Sequence, residues 1–343
     1  MEPKVSVIVP VYNSQDTIRK CVSSLLKQTL NEIEIVIVDD GSTDNSLEIA
    51  KELANDFNCI RVFHQKNKGV SNARNFGINH ARGKYIFFLD SDDFLDLDTL
   101  RSLYSLSQKE KLVFSSCNHD EINSTISQAE ETSESSYVAH AKEDLAKLFD
   151  LLYIKSACAK LFDRQFILDN NLTFDEKMSL GEDLNFVCRV IILTCQVGYV
   201  GSKYYHIVNT NPYSLSKRYS RNLEYALEKQ RTAWKKLLNS NKWLENKYYK
   251  THMNFDIYLM TIYFSNLFKY DAPKLSRRKK IEKIQLFLNS HKTWLDNVKG
   301  KPQTFPQLIM FKSILSGKDR TIYLIFNLKE HLRRILFYVK KYL

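Results

Sequence analysis

The N-terminal half is organised around Tyr85-Ile86-Phe87-Phe88-Leu89-Asp90-Ser91-Asp92-Asp93. An apolar run of strand length stops there at three carboxylates within four positions. Crowded acids repel one another, and an ordinary turn has no need of them unless a divalent cation or a developing positive charge offsets the repulsion. The plainer alternative is a solvated turn whose aspartates cap a helix starting near Asp96 or Asp98.

Upstream, Val5-Ser6-Val7-Ile8-Val9 alternates around apolar residues and runs into Pro10, after which Asn13 and Ser14 are placed to cap a helix carrying Ile18, Val22, Leu25 and Leu26. The plan then repeats. Ile33-Glu34-Ile35-Val36-Ile37-Val38 is a strand, Asp39-Asp40-Gly41-Ser42 breaks it, and Asp44 leads into a helix spaced by Leu47, Ile49 and Leu53. A third strand at 60–63 and a helix at 71–80 precede the acidic stretch. Strands alternating with helices predict an α/β fold with a mostly parallel sheet. Ligands gather at the carboxyl ends of strands in such sheets, so Asp39-Asp40 and Asp90-Ser91-Asp92 fall on one rim. Between them lies Lys68-Gly69-Val70-Ser71-Asn72-Ala73-Arg74-Asn75. Gly69 there allows close backbone approach and Arg74 stands on a helix near the rim, unless this is an ordinary glycine turn with a surface arginine.

Downstream the pattern predicts a helix over 97–107 and a strand at 112–114, then an acidic, Ser- and Thr-rich loop or flap over 118–136. Helical spacing resumes at Leu145, Leu148, Phe149 and Leu152, and Lys160-Leu161-Phe162 precedes a helix from Arg164. Gly181-Glu182-Asp183 opens an apolar helix containing Phe186, Val187, Val190 and Ile191. Those acids either complement the helix dipole or project one carboxylate into a cleft as a general base. Strands are expected at 196–200 and 203–207, the second bearing His206.

At 343 residues, with 44% hydrophobic and 26% charged residues, the chain is expected to hold two domains, 1–218 and 219–343. Its six cysteines form no CxxC pair and lie in apolar segments, which fits reduced, buried thiols better than a disulfide framework or zinc site. Neither a membrane-spanning run nor a secretory signal is evident, so a soluble, cytoplasmic protein is expected. From Lys217 onward there are 28 Lys and Arg against 9 Asp and Glu, whereas the first 216 residues hold 22 against 30. Basicity confined to one end speaks for a docking surface, anionic membrane or nucleic acid, and not for a basic catalytic cleft. The last helical segment places Leu328, Leu332, Ile335, Leu336, Val339 and Leu343 on one stripe with Lys329, Arg333, Arg334, Lys340 and Lys341 beside or opposite it. It suits a membrane interface or packing on its own domain.

Taken together, VSVIVPVYN (5–13), VDDGSTD (38–44), GVSNARNFG (69–77), Asp90-Ser91-Asp92-Asp93 and Gly181-Glu182-Asp183 resemble the family 2 inverting glycosyltransferases of GT-A fold, the kind that build bacterial capsular, exopolysaccharide or wall glycans. The resemblance implies a Rossmann-like sheet flanked by helices, followed here by a basic helical region. It further implies that Pro10, Val11 and Tyr12 line the nucleotide pocket. Asp40, with Asp39 beside it, would contact the uracil or ribose, and Arg74 would stand near the donor phosphates. Asp90, Ser91 and Asp92 would form the Asp-x-Asp that binds the donor and a Mg2+ or Mn2+ ion, Asp92 as the direct ligand and His206 completing the metal shell. Asp183 would be the base and Glu182 its neighbour. The implied partners are a UDP-sugar and a glycan, lipid-linked or protein acceptor, at the inner face of the plasma membrane through the basic helices, with homo-oligomer contacts also open. Nucleic acid is not among them.

Many relatives carry Trp-Asn-Lys where this chain has Cys158-Ala159-Lys160, which leaves the acceptor open. Long transmembrane helices and the QxxRW motif of processive synthases are missing from the sequence, which favours addition of a single sugar. A sugar-phosphate nucleotidyltransferase uses a similar sheet but should show a glycine-rich loop with Arg and Lys where this chain has Val11-Tyr12-Asn13-Ser14. A binding scaffold with a relic fold would have no reason to keep both Asp92 and Asp183.

Overall fold

The computed structural model describes residues 2–122, 136–139, 144, 145, 152, 154–194, 196–208, 218–251, 255–269, 271–296 and 305–342. The chain divides into two compact units, one of residues 1–211 with 232–244 and one of 212–231 with 245–343.

In the first unit β1 (Val5–Val11), α1 (Ile18–Leu26), β2 (Ile33–Asp39), α2 (Ser46–Asp56), β3 (Ile60–His64), α3 (Val70–His80) and β4 (Tyr85–Phe88) alternate as the sequence pattern requires. There follow β5 (Phe94–Leu95), α4 (Thr99–Lys109), β6 (Phe114–Ile122), β7 (Ser136–Ala139), β8 (Lys160–Asp163), α5 (Arg164–Asp169), α6 (Glu182–Leu193) and β9 (Val197–Val208). The sheet runs β3-β2-β1-β4-β8-β6-β9-β5, with β7 also pairing to β9. Its first four strands are parallel, β8 is antiparallel to β4 and β6, and β6 and β9 are parallel to each other. Every residue of β1 is buried, which is why that strand is nearly continuous in Val and Ile. Its one hydroxyl residue, Ser6, is satisfied by Glu34 and by the Gly83 backbone N–H, the latter at 2.7 Å.

Several elements differ from the expectation. Helix α1 begins at Ile18 and not at Asn13 or Ser14. Asn13 adopts a left-handed backbone (φ +52) and its Oδ1 accepts the Thr43 N–H at 2.8 Å, so this side chain joins two loops instead of capping a helix. The expected loop at 118–136 begins as strand, because β6 continues to Ile122 in register with β9; residues 123–135 lie outside the described residues, as does most of the helical segment expected at 145–152. β9 is a single strand, and the interruption expected near Gly201 is a register irregularity opposite Cys117, Asn118 and His119. Helix α4 starts after Asp98, beyond β5, so Asp90, Asp92 and Asp93 cap nothing and the plainer reading of the acidic stretch is excluded.

From Leu223 onward the described elements are helical: α7 (Leu223–Ser240), α8 (Lys242–Thr251), α9 (Phe255–Asn266), α10 (Arg277–Ser290), a 3-10 turn at Lys292–Leu295, α11 (Phe305–Leu315) and α12 (Asp319–Tyr342). Within the second unit Tyr263 stacks on Phe287 with ring centres 3.7 Å apart, and Phe264 and Phe268 pack against Phe326 of α12. Arg231 is paired with the buried Asp256 at 2.8 Å and lies against the Trp294 ring. Among the described residues no helix is long and apolar enough to cross a membrane.

Candidate active site

The ends of β1, β2 and β4 stand side by side. Val11 is in register with Asp39, the Asp40 N–H bonds Val11 O at 2.8 Å, and the Leu89 N–H bonds Ile8 O at 3.1 Å. The loops beyond are cross-linked by the Ser14 and Ser91 hydroxyls, 2.7 Å apart. Of the three residues expected to line a nucleotide pocket, Pro10 and Val11 are buried in the sheet and Tyr12, 46% exposed, presents its ring at the rim. Ser91 is buried and engaged with Ser14.

The two aspartates after β2 have different tasks. Asp40 accepts the Gln65 side-chain amide at 2.8 Å and the Lys68 N–H at 2.9 Å on one oxygen, and the Gly69 N–H at 2.7 Å on the other. Both of its oxygens thus shape the loop that leads into α3. Asp39 accepts from Ser42 N–H and pairs with His64 Nδ1 at 2.7 Å through Oδ2, while its buried Oδ1 has no hydrogen-bond partner. A buried carboxylate oxygen left unpartnered is costly unless a ligand donor completes it, so the acceptor offered at this corner belongs to Asp39. Gly69 is required for its backbone (φ +91) and not for closeness, since a Cβ there would meet nothing within 4 Å. Gly77 is the close contact: a Cβ would collide with Ile8, so the glycine lets α3 lie flat on β1 and fixes Arg74 over the rim.

Arg74 is the centre of the site. Its guanidinium, with 4% of the side chain exposed, donates Nη2 to Asp90 Oδ1 at 2.9 Å and Nη1 to Asp183 Oδ1 at 2.7 Å, with Glu182 at 3.6 Å. Burial opposes its charge, and Asp183 and Asp90 more than compensate, so it holds its proton more firmly than usual. Its Nε is buried without a hydrogen-bond partner.

The acidic turn is supported from β9. The Asp93 carboxylate accepts the Tyr205 hydroxyl at 2.7 Å and the Val208 N–H at 2.8 Å, and the same Tyr205 oxygen accepts the Asp90 N–H at 3.3 Å. Burial and the neighbouring Asp90 push Asp92 up to about 6 and, with Asp92 added, Asp93 to about 8. With no cation beside them, Asp92 and Asp93 are driven toward their protonated forms.

Glu182 and Asp183 open α6 as expected. Asp183 is held at both oxygens, since Ala157 N–H reaches Oδ2 at 3.2 Å while Arg74 takes Oδ1. Burial raises both acids, Asp183 despite the opposing effect of Arg74 and Glu182 with the further push of Asp183. One turn on, Phe186 stacks on Phe174 with ring centres 4.2 Å apart and meets Phe88 and Phe162 edge-on. Phe88 ends β4 just before Asp90, so one aromatic cluster braces both carboxylate-bearing segments. Lys160 is fully buried, donates to Cys158 O at 3.1 Å, and is pushed by burial down to about 8. It supports the turn through Ala159, a non-glycine residue at φ +58, two residues after Ala157, whose N–H bonds Asp183. A cavity of about 130 Å³ lies beside Asp90, walled in part by Cys158, Ala159 and Tyr205.

His206 is engaged elsewhere. Its Nδ1 pairs with Asp120 at 2.6 Å and its Nε2 with Asp96 at 2.7 Å, and its ring stacks on Phe94. No group of three or more His, Cys, Asp or Glu among the described residues is already arranged to hold a metal ion. Tyr205, His64 and Ala157 are site residues that sequence reasoning did not single out. Tyr205 had one available signal, its place beside His206 on a strand returning to the rim.

A model of glycosyl transferase family 2 matches residues 6–169, the segment that carries this rim, Arg74 and the acidic turn. Residues 6–169 belong to that family. The uncharacterized glycosyltransferase EpsJ of Bacillus subtilis is 36% identical over 190 residues, covering 54% of this chain and 55% of its own length. The putative glycosyltransferase EpsH of the same organism is 36% identical over 226 residues, covering 64% and 65%. The cholesterol galactosyltransferase of Borreliella burgdorferi is 30% identical over 213 residues, 59% of each chain. The chain thus spans roughly half to two thirds of the length of these curated relatives. The crystal structure of Staphylococcus aureus TarS 1–349 in complex with UDP-GlcNAc superposes with a TM-score of 0.66 over 96% of this chain and 91% of that one, at 22% identity. That likeness establishes the GT-A fold. Asp183 and Tyr205 lie beyond the matched family segment.

Proposed function

We propose that this protein is an inverting, non-processive glycosyltransferase that moves one sugar from a UDP-sugar to a hydroxyl of a glycan, lipid-linked or protein-linked acceptor, in the assembly of a bacterial surface glycan. The observation that carries this reading is the single guanidinium of Arg74 shared by Asp90, in the turn after β4, and Asp183, at the head of α6. Donor-side and acceptor-side carboxylates belong at one centre in such a reaction. The complexes of TarS with UDP-GlcNAc and with UDP support a uridine nucleotide as the donor's handle.

In this reading Tyr12 stacks on the base and Asp39 Oδ1 accepts the imide N–H of uracil. Arg74, whose Nε–H has no hydrogen-bond partner, stands near the diphosphate. Asp90 and Asp92 would hold a Mg2+ or Mn2+ ion: hard carboxylate oxygens suit such ions, and the raised proton affinity of Asp92 marks a turn short of positive charge. A bound ion would neutralise the departing diphosphate. Asp183 takes the proton from the attacking hydroxyl, and attack opposite the leaving group inverts the anomeric carbon. Burial makes Asp183 a stronger base than a solvated aspartate, while Arg74 and the Ala157 N–H aim it. Glu182 lies beside the acceptor hydroxyl. His206, already tied to Asp96 and Asp120, is left out of the proposed metal shell.

The test is incubation of purified protein with a panel of UDP- and GDP-sugars plus Mg2+ or Mn2+, reading nucleotide release, with Asp183→Asn alongside. The variant should bind donor normally and lose transfer by about 10²–10⁴-fold, the range expected for a general base. Release from no sugar nucleotide, or near-normal turnover by the variant, would overturn the assignment.

A further inference from the structure

The closing helix α12 carries two apolar faces. Ile322 and Phe326 point inward and are buried in the second unit, Phe326 against Phe264 and Phe268. On the opposite side Leu324, Leu328 and Leu332 are 55%, 59% and 51% exposed, one helical turn apart. A helix in water that packs only on its own domain has no use for three large aliphatic residues in a row on its solvent side. The helix continues to Tyr342, and its sequence keeps the same spacing with Ile335, Leu336 and Val339.

Charge identifies what covers this face. At helical spacing, Arg320 and Lys329, both exposed, flank the leucine stripe on opposite sides. From 305 to 342 the sequence holds eight Lys and Arg against two acids. A second copy docked face to face would bring one strongly basic helix against another. Nucleic acid would accept the cations and leave the leucines without an apolar counterpart. An anionic bilayer offers an apolar layer for the stripe and phosphates for its flanks. We propose that the outward face of α12 docks this protein on an anionic lipid surface, lying in the interface and not crossing it. The inference stands apart from the proposed chemistry, since it uses no residue of the candidate active site.

The test is co-sedimentation of the full chain with vesicles of equimolar phosphatidylglycerol and phosphatidylcholine, and with phosphatidylcholine alone. The protein should pellet with the anionic vesicles, weakly with the neutral ones, and less as salt is added. The triple variant Leu324→Gln, Leu328→Gln, Leu332→Gln should lower the partition constant by about tenfold or more. Because these side chains are exposed, circular dichroism and thermal melting of the variant should match the parent. Arg320→Glu with Lys329→Glu should weaken binding to anionic vesicles only. Equal pelleting of parent and triple variant overturns the proposal, as does a parent that ignores anionic vesicles. A dimer in sedimentation velocity that the leucine changes dissolve, without vesicle binding, assigns the face to a second copy instead. Duplex DNA or RNA binding that depends on the cations alone, again without vesicle binding, assigns it to nucleic acid.

Discussion

Asp90 and Asp183 are held by one guanidinium, with Nη2 of Arg74 at 2.9 Å from the first and Nη1 at 2.7 Å from the second. The position of each carboxylate therefore depends on the other through a rigid planar fork. Arg74→Lys keeps a charge and loses the fork. We expect the turnover of transfer to fall by roughly 10²-fold, with a smaller effect on donor affinity. Arg74 favours the ionised form of Asp183, so weakening it raises the proton affinity of Asp183 and moves the acidic limb of the pH–rate profile to higher pH. A limb that stays in place would remove Arg74 from this role.

The neighbouring aspartates after β2 should be separable. Asp39→Asn replaces the unpartnered acceptor with an amide and should weaken UDP binding by roughly tenfold or more, read by titration calorimetry. Asp40→Asn instead disrupts the loop through Gln65, Lys68 and Gly69. It should lower thermal stability as well as donor affinity. Loss of UDP binding from Asp40→Asn without loss of stability would reverse the two assignments.

The acidic turn predicts a pH dependence of stability. Asp92, near 6, and Asp93, near 8, bind protons more tightly when folded than in the unfolded chain. Such groups contribute stability below the ordinary carboxylate value, about 4, and lose it as pH rises through their folded values. Without divalent cations, the melting temperature should fall between pH 5 and 8 more steeply in the parent than in Asp92→Asn. Mn2+ should raise it more at pH 8 than at pH 5, and the variant should gain less. Equal slopes with and without Asp92 would rule out crowding as the cause.

Tyr205→Phe removes one hydroxyl that donates to Asp93 and accepts from the Asp90 N–H. The buried Asp93 oxygen left behind should cost about 1–3 kcal/mol, measurable by urea unfolding. Donor affinity should also fall, although Tyr205 itself lies beneath the turn. A variant of unchanged stability would show that the hydroxyl does not support the turn.

The parallel half of the fold and the acidic rim were legible in the sequence because each depends on local pattern: Ile33-Glu34-Ile35-Val36-Ile37-Val38 is apolar enough to be a central strand, and Asp39 must then sit at its end. The role of Arg74 was not legible in the same way. Its partners are a strand end close by in sequence and a helix start far along it, and helical spacing carries no information about that meeting. The division of labour between Asp39 and Asp40 was hidden for a similar reason, since it rests on which oxygen the backbone N–H groups of Lys68 and Gly69 reach. Residues 118–122 misled because Asn118, Asp120 and Glu121 have poor strand propensity, and pairing with β9 overrides it.

The dependence of the acidic turn on β9 also bears on how the protein comes into being. Asp90, Asp92 and Asp93 leave the ribosome well before Tyr205 and Val208, which give Asp93 its two hydrogen bonds, and before His206, which pairs with Phe94 across the sheet. Contacts of such long sequence separation form late in folding. A nascent chain stopped short of β9 would thus carry the three acids without the strand that shapes their turn, which confines a finished acidic turn to molecules whose synthesis has passed Val208.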